Sequence, residues 1–369
     1  MLTILQTVAN ERLGYSYGKP LRVDEKALAV VLPILRKTSL ERQYITYPET
    51  EKVLIFDTGK IDEMEADNQT KSNVFVRSGT LFRGGTQPRA LQRSAVLFPG
   101  KKSKLNVRCV YASHGISPNA NVKYGGITPL EFDAANYSQG YTFKDQHATW
   151  ANVLKSTSAM NAKMGKTAQA NEPRARSRMA SDMMYTSSSM HGEVGAKGVE
   201  GLEGEAIIGA SGPSGPQSAF FSSASSKSDD LCSSFTEFAQ HFDDILSKVK
   251  LVDDQAGLAL ITHQGVQTIE LFDHNQSWKI LHESAVKRLG SSIVDKGDEN
   301  VFDYKPKLAI KQVNSILGLD FKTNLIFEHR PENGEPKIEI TGLTADGYVG
   351  EVVELDDRVI HLVLLKQAA

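Results

Sequence analysis

Val74-Phe-Val-Arg-Ser-Gly-Thr-Leu-Phe-Arg-Gly-Gly-Thr-Gln-Pro-Arg89 opens on the apolar run Val74–Val76 and closes through a double glycine, Gly84-Gly85. Runs of the same kind surround it: Leu28–Leu35, Tyr44–Tyr47, Val53–Phe56, Ser94–Phe98 and Leu105–Tyr111. Turn residues separate them at Pro48, Asp57–Gly59 and Pro99-Gly100. Short β-branched or apolar runs between Gly, Pro, Asn and Asp predict a sheet with turns, not helix alternating with strand. Leu105–Tyr111 shows the period most clearly. Leu105, Val107, Cys109 and Tyr111 fall on one face, and Asn106, Arg108 and Val110 on the other. Cys109 then reads as a small buried hydrophobe.

The same region has an unusual charge pattern. From Asn68 to Leu130 there is no Asp or Glu, while Lys71, Arg77, Arg83, Arg89, Arg93, Lys101, Lys102, Lys104, Arg108 and Lys123 are all basic. The chain as a whole has 42 Lys and Arg against 44 Asp and Glu, a net charge of −2. Such a balance disfavours a general polyanion binder and leaves only a local patch. With 369 residues, 40% hydrophobic and 23% charged, the chain can bury a sizeable core. Its two cysteines, Cys109 and Cys232, are far apart in sequence and have no metal-ligand spacing. Met1–Pro20 lacks the basic start and apolar run of a signal peptide. No stretch approaches the length of a membrane span, so a cytoplasmic location is expected.

Ala112–Gly140 is rich in Gly, Ser, Pro and Asn and reads as loop. A helix is expected over Thr142–Met164, carried by Trp150, Val153 and Leu154. Thr186–Ser234, dominated by Ser, Gly and Ala, reads as a flexible insertion. Just before it, Arg174, Arg176 and Arg178 form a small basic cluster. Ser234-x-x-Glu237 has the form of a capping box. It opens an apolar stripe of Phe235, Phe238, Phe242, Ile245, Leu246 and Val249. Gln255–Ile261 and Val266–Phe272 predict a hairpin, followed by a helix over Ser277–Leu289. A further helix, Lys307–Leu317, should turn Leu308, Val313, Ile316 and Leu317 inward. The tail predicts four strands, the last two joined by Asp356-Asp357. The fold class expected is α+β: a β-rich main body with helices packed to one side, plus a small C-terminal β-rich module. The domains expected are 1–295, with the insertion at about 186–234, and 296–369.

Among motifs, the turn from Gly79 to Arg89 carries the most chemistry. Gly84 and Gly85 allow positive φ and close backbone approach, so consecutive N–H groups can form an anion nest. Arg83 and Arg89 flank them with planar forks suited to phosphate or carboxylate, and Gln87 adds a donor and an acceptor. The alternative is a tight turn whose arginines pair with acids from elsewhere. The Gly-Lys-Ser/Thr of a P-loop is absent, and no helix opens after the glycines as a dinucleotide fingerprint requires. No cofactor is therefore expected. Cys109 and His114 could form a nucleophile pair, though a buried Cys beside a loop His is the plainer reading. Nine scattered histidines show no metal-site spacing, so no metal is expected. Asp243-Asp244, Asp253-Asp254 and Asp356-Asp357 read as turns or caps, and Asp273 as a helix N-cap. Phe75, Phe82, Phe98, Tyr111 and Tyr124 are interleaved with the basic residues, as in a nucleic-acid surface, but three of them sit in strand patterns.

Taken in order, Val74–Arg89, Ser94-Ala-Val-Leu-Phe-Pro-Gly100 and Val107-Arg-Cys-Val-Tyr-Ala-Ser-His-Gly115 resemble the ADP-ribosylglycohydrolase- and rhodanese-phosphatase-associated domain family. Gln146–Leu154 is similar to its Gln-x-x-x-Trp helix. Gln255-Ala-Gly-Leu-Ala through Glu270-Leu-Phe-Asp273 and Ser277-Trp278 are similar to its hairpin and following helix. The resemblance covers Leu32–Asp295 and leaves the tail from Gly297 outside. It implies a link, by association, to ADP-ribose or NAD-related metabolism; no activity follows from it. Three readings stay open. The first is a pocket for a small phosphate- or carboxylate-bearing ligand of the nucleotide or ADP-ribose class at Arg83, Gly84, Gly85, Gln87 and Arg89. The second is a self-assembling homo-oligomer or filament that uses the insertion and the C-terminal strands. The third is a nucleic-acid binder.

Overall fold

The computed structural model describes residues 2–23, 29–38, 40–84, 87–111, 121–138, 146–164, 230–293, 305–331 and 334–367. In it the short runs of the first part close on themselves. β5 (Val53–Asp57), β6 (Glu63–Asn68), β8 (Thr80–Arg83), β9 (Arg89–Leu91), β11 (Lys102–Cys109) and β12 (Asn121–Ile127) form a closed barrel in the order β11-β6-β5-β12-β8-β9. Its interior follows the period of two: Val53, Ile55, Met64, Ala66, Phe82, Leu91, Leu105 and Val107 pack into one core. Beside it, β4 (Tyr44–Thr46), β7 (Asn73–Val76) and β10 (Ala95–Leu97) make a three-stranded sheet.

The second layer is a nine-stranded sheet. Its strands are β1 (Tyr15–Tyr17), β2 (Leu21–Arg22), β3 (Ala29–Arg36), β13 (Gln255–Thr262), β14 (Gly265–Phe272), β15 (Lys322–His329), β16 (Ile338–Ala345), β17 (Tyr348–Leu355) and β18 (Arg358–Lys366). The order is β1-β3-β13-β14-β18-β17-β16-β15, with β2 alongside β3. The C-terminal strands thus enter the same sheet as the central hairpin, through β14 and β18 (Ile269 opposite Leu364). Asp356 and Asp357 join β17 to β18 with φ of 49° and 59°, the paired positive values of a type I′ turn.

The helices α1 (Leu2–Ala9), α2 (Leu130–Ser138), α3 (Gln146–Lys163), α4 (Leu231–His241), α5 (Asp243–Leu246), α6 (Asn275–Ile293) and α7 (Pro306–Leu317) cover these sheets. α2 and α6 share a core with Val31, Leu258, Leu260, Val353 and Val363. α1 and α7 pack with Val30, Leu32, Ala259, Ile261 and Val352. Neighbouring residues of one strand enter different cores, so both faces of the central strands are covered and β3 and β13 read as continuous apolar runs. The whole is a β-rich α+β fold.

Several local expectations change. Ala112–Gly140, expected as loop, contains β12 and α2. Gly125 and Gly126 sit at a bulge in the β12–β8 ladder, between Tyr124 and Gly126. α2 buries Asp133 and Asn136 beside its apolar residues, which erases the helical period. Ser234 and Glu237 lie inside α4; its N-cap is Asp230, whose side chain accepts from Cys232 N at 2.9 Å. The aromatic stripe breaks at Phe242 into α4 and α5. Val313 and Leu317 are buried in α7 as expected, but Leu308 is 40% exposed and Ala309 is buried in its place. Asp273 accepts from Tyr44 Oη at 2.7 Å, while His274 Nδ1 takes the helix-start N–H of Gln276 at 3.2 Å. The insertion up to residue 229, the Arg174–Arg178 cluster, Gly85 and His114 lie outside the described residues.

Candidate functional site

The acids missing from Asn68–Leu130 arrive from other parts of the chain. Arg77 pairs with Glu270 and Asp133, Arg89 with Asp57, Lys101 with Glu335, Lys102 with Glu65 and Lys104 with Glu63. Arg93 lies over the Phe327 ring, 4.6 Å from its centroid. Among the described residues, Arg83 and Lys71 have no carboxylate within ion-pair distance, and each lines a cavity.

Arg83 and Arg89 part company. Arg89 is fully buried, donating Nη1 to the carbonyls of Lys60 (2.9 Å) and Ile61 (2.8 Å) and Nη2 to Asp57 Oδ2 (3.2 Å). Gln87 is buried as well. Gly84 is exposed, with φ of 113°, a backbone that suits glycine alone. Arg83 points the other way. Its Nη2 donates to the Cys232 carbonyl (2.9 Å) in the first turn of α4 and contacts Thr236 Oγ1 one turn further along. Its stem crosses Gly125 so closely that a Cβ there would stand 2.7 Å from Arg83 Cγ. Arg83 Nε is buried without an acceptor among the described residues.

The cavity at Arg83 measures about 580 Å³, within the usual range for small-molecule sites. β12 supplies Tyr124, Gly125 and Gly126; α4 supplies Phe235, Thr236 and Gln240; α6 supplies Glu283, Ser284 and Lys287; Asp243 stands at the start of α5. The charges are mixed. Lys287 pairs with Glu283 at 2.5 Å on one exposed helix face, an interaction of small strength. Tyr124 presents an aromatic wall, and burial raises its pKa well above the ordinary value, with Ser284 opposing. The bulge at Gly125-Gly126 makes room for both the Arg83 stem and the cavity. The sequence reading missed this second double glycine because its surroundings looked like loop.

A larger polar cluster lies in the interior, and nothing in the sequence marked it. Arg77 Nε meets Glu270 Oε1 at 2.5 Å, and Arg288 Nη1 meets Glu270 Oε2 at 2.9 Å. Arg288 also contacts Asp133, and Arg77 Nη1 reaches Asp133 Oδ2 at 3.2 Å, which closes a ring of alternating charge. His361 Nε2 approaches Glu270 at 3.2 Å. Burial works against the Glu270 charge, but Arg77, His361 and Arg288 outweigh it and hold its pKa well below the usual carboxylate range. Burial keeps His361 below its ordinary value. The guanidiniums and carboxylates pair with one another, which leaves His361 Nδ1 without a partner among the described residues, and the ring ties the end of β7 to α2, β14, α6 and β18.

Neither cysteine has the environment of a nucleophile. Both are buried. Burial raises the Cys109 thiol and pushes Cys232 up to about 12. Among the described residues no group of three His, Cys, Asp or Glu could share a metal ion, and no helix is long and apolar enough to cross a membrane.

Fold and cavity together define a β-rich α+β protein with a partly buried cation between a barrel rim and two helices. The chain matches the ARG and Rhodanese-Phosphatase-superfamily-associated Protein domain over residues 14–203 and 217–365, and it belongs to that family. The match runs past Asp295 through the C-terminal strands, which the sequence resemblance had left outside; those strands share a sheet with the central hairpin. No curated protein and no solved structure matches the chain.

Proposed function

We propose that this protein binds a small phosphate- or carboxylate-bearing ligand, of the nucleotide or ADP-ribose class, in the cavity at Arg83. The observation that carries the reading is Arg83 itself: a half-buried guanidinium, held by a carbonyl and a hydroxyl, with no carboxylate beside it among the described residues. A half-buried cation with no carboxylate in ion-pair contact favours an anion in the adjoining space. Lys287 is a second cation for the same ligand. Tyr124 and Phe235 offer apolar walls for a base, and Glu283 and Asp243 offer acceptors for ribose hydroxyls. The family's association with ADP-ribosylglycohydrolase supports the ligand class. Of the turn residues, Arg83 makes the contact, while Arg89 is held by Asp57 and the carbonyls of Lys60 and Ile61, and Gln87 is buried. Isothermal titration with ADP-ribose, AMP and pyrophosphate tests this. Arg83→Lys keeps the charge but loses the fork and should weaken the ligand about tenfold, the worth of one charge-assisted hydrogen bond. No heat at millimolar ligand, or an unchanged affinity in Arg83→Lys, refutes the reading.

The self-assembly reading also has one observation in its favour. β15 is the edge of the large sheet; Lys322, Thr323, Asn324 and Leu325 are all exposed, Leu325 at 53%. Such an edge is a template for another strand. Light scattering that finds a monomer at tens of micromolar removes this alternative.

A further inference from the structure

A groove of about 340 Å³ opens beside β4, lined by Glu41, Arg42, Gln43, Tyr44, Lys71 and Asn73 among others. Its donors are under-satisfied. Arg42 gives Nη2 to Glu49 Oε1 at 2.6 Å, while Nη1 is buried with no acceptor among the described residues. Lys71 is exposed, with no carboxylate in reach among them. Asn73 Oδ1 is a buried acceptor that receives no donor among the described residues.

The wall behind the groove carries more positive charge. Tyr44, a lining residue, donates to Asp273 Oδ1 at 2.7 Å. Arg358 closes on Asp273 Oδ2 at 2.5 Å and donates Nη1 to the carbonyl of Glu41, another lining residue, at 3.0 Å. Its Nε is buried without an acceptor among the described residues. Arg36, 6% exposed, gives Nη1 to Tyr15 Oη at 2.7 Å and leaves Nε unmatched. All three guanidiniums share one neighbourhood. His274 is lowered first by burial, against Asp273, and then by Arg42, Arg358 and Arg36. With Lys71 the cations number four, and the carboxylates among them are buried Asp273, half-buried Glu49 and the exposed lining residue Glu41. Positive charge is in excess by one, and Arg42 Nη1, Arg358 Nε and Arg36 Nε lack acceptors among the described residues. Buried donors of this kind call for a water or an ion, and the excess charge selects an anion.

We propose that this groove is a second, independent anion site, which takes a phosphate group between Arg42 and Lys71 with Arg358 and Arg36 behind it. A phosphate suits the donors and the orphan acceptor at once. Its oxygens accept from the guanidiniums and the ammonium, and a monoprotonated phosphate carries the one hydroxyl that Asn73 Oδ1 can accept. A carboxylate has no such donor.

Thermal unfolding of the full chain against inorganic phosphate, with ionic strength held constant by chloride, tests the site; acetate is the carboxylate arm. Phosphate should raise Tm in a saturable way, and acetate should raise it less. Lys71→Gln, at an exposed position, should weaken phosphate about tenfold, as should Arg42→Gln. Arg83→Lys should leave the phosphate response unchanged, which separates this site from the cavity proposed above. Stabilisation no greater than that by chloride overturns the proposal. So does a response lost in Arg83→Lys but kept in Lys71→Gln. Equal stabilisation by acetate overturns the phosphate assignment.

Discussion

Replacing Glu351 with Gln should change the pH dependence of stability in a defined direction. Glu351 sits in β17, fully buried. Its carboxylate accepts from Ser78 Oγ at 3.2 Å and from Ser94 N at 3.4 Å, and among the described residues no guanidinium pairs with it directly. Burial pushes its pKa up to about 7 from an ordinary 4.5, with Ser94, Arg77 and Ser78 opposing. A raised carboxyl pKa means that the folded state holds the proton more tightly than the unfolded chain. That stability is fully present below pH 4.5 and is lost as pH rises through 7. Each pH unit across that window costs about 1.4 kcal/mol, so the loss is on the order of 3 kcal/mol. His361, lowered by burial, acts in the opposite sense, since its contribution is lost as pH falls. The wild-type curve alone therefore hides part of the effect, and the difference between the two proteins isolates it. Gln keeps an oxygen for Ser94 N and offers an N–H₂ to Ser78 Oγ, but it carries no charge. Urea unfolding from pH 5 to 8 at fixed ionic strength should show Glu351→Gln close to wild type at pH 5 and more stable by about 2–3 kcal/mol at pH 8. A difference that does not vary with pH, or a variant less stable at pH 8, refutes the reasoning.

Gly125→Ala should displace the Arg83 stem and abolish titratable ligand binding in that cavity, at a cost of about 1–3 kcal/mol for overpacking; calorimetry with ADP-ribose and a urea midpoint read the two effects separately. Arg77→Met leaves Glu270 and Asp133 buried with a single shared guanidinium, Arg288, and should cost about 3–5 kcal/mol in denaturant unfolding. Lys101→Ala removes an ion pair from the same acid-free stretch, but one whose lysine is largely exposed; it should change stability by less than about 1 kcal/mol in the same assay.

What the sequence revealed depended on whether one period governed a segment. Leu105 and Val107 alternate with exposed Asn106 because one face of β11 enters the barrel, although Arg108–Tyr111 are all buried, and β13 with β14 is framed by a short turn. β12 and α2 were illegible for opposite reasons. β12 carries a glycine bulge in place of side chains, and α2 buries Asp133 and Asn136, polar residues that look like solvent-facing positions. The helix start at Asp230 was hidden by a better-looking box at Ser234, which belongs to the helix interior. In the candidate site, Arg83 was visible as a charge beside glycine. That Arg83 turns toward α4 while Arg89 turns into the barrel was not, because their partners, Cys232 and Asp57, lie on opposite sides of them in the chain.

The acid-free stretch acquires a topological meaning from those partners. With no acid nearby in sequence, its cations can be neutralised only across long chain separations: Arg77 by Glu270, Arg89 by Asp57, Lys101 by Glu335. For the exposed lysine this matters little. For Arg77 and Arg89, both fully buried, a one-residue slip of β7 or β9 would turn the guanidinium to the other face and strand its acid in the interior. Segregation of charge along the chain thus penalises wrong strand registers more than it stabilises the right one. The same segregation explains why cations are left over. With Arg77 and Arg89 paired to their acids, Arg83 and Lys71 have none within ion-pair distance among the described residues, one in each cavity. A sequence that assigned counter-charges locally would have quenched both. Their survival beside concave surfaces, rather than on open ones as with Lys123, is what makes a ligand the expected source of the missing negative charge.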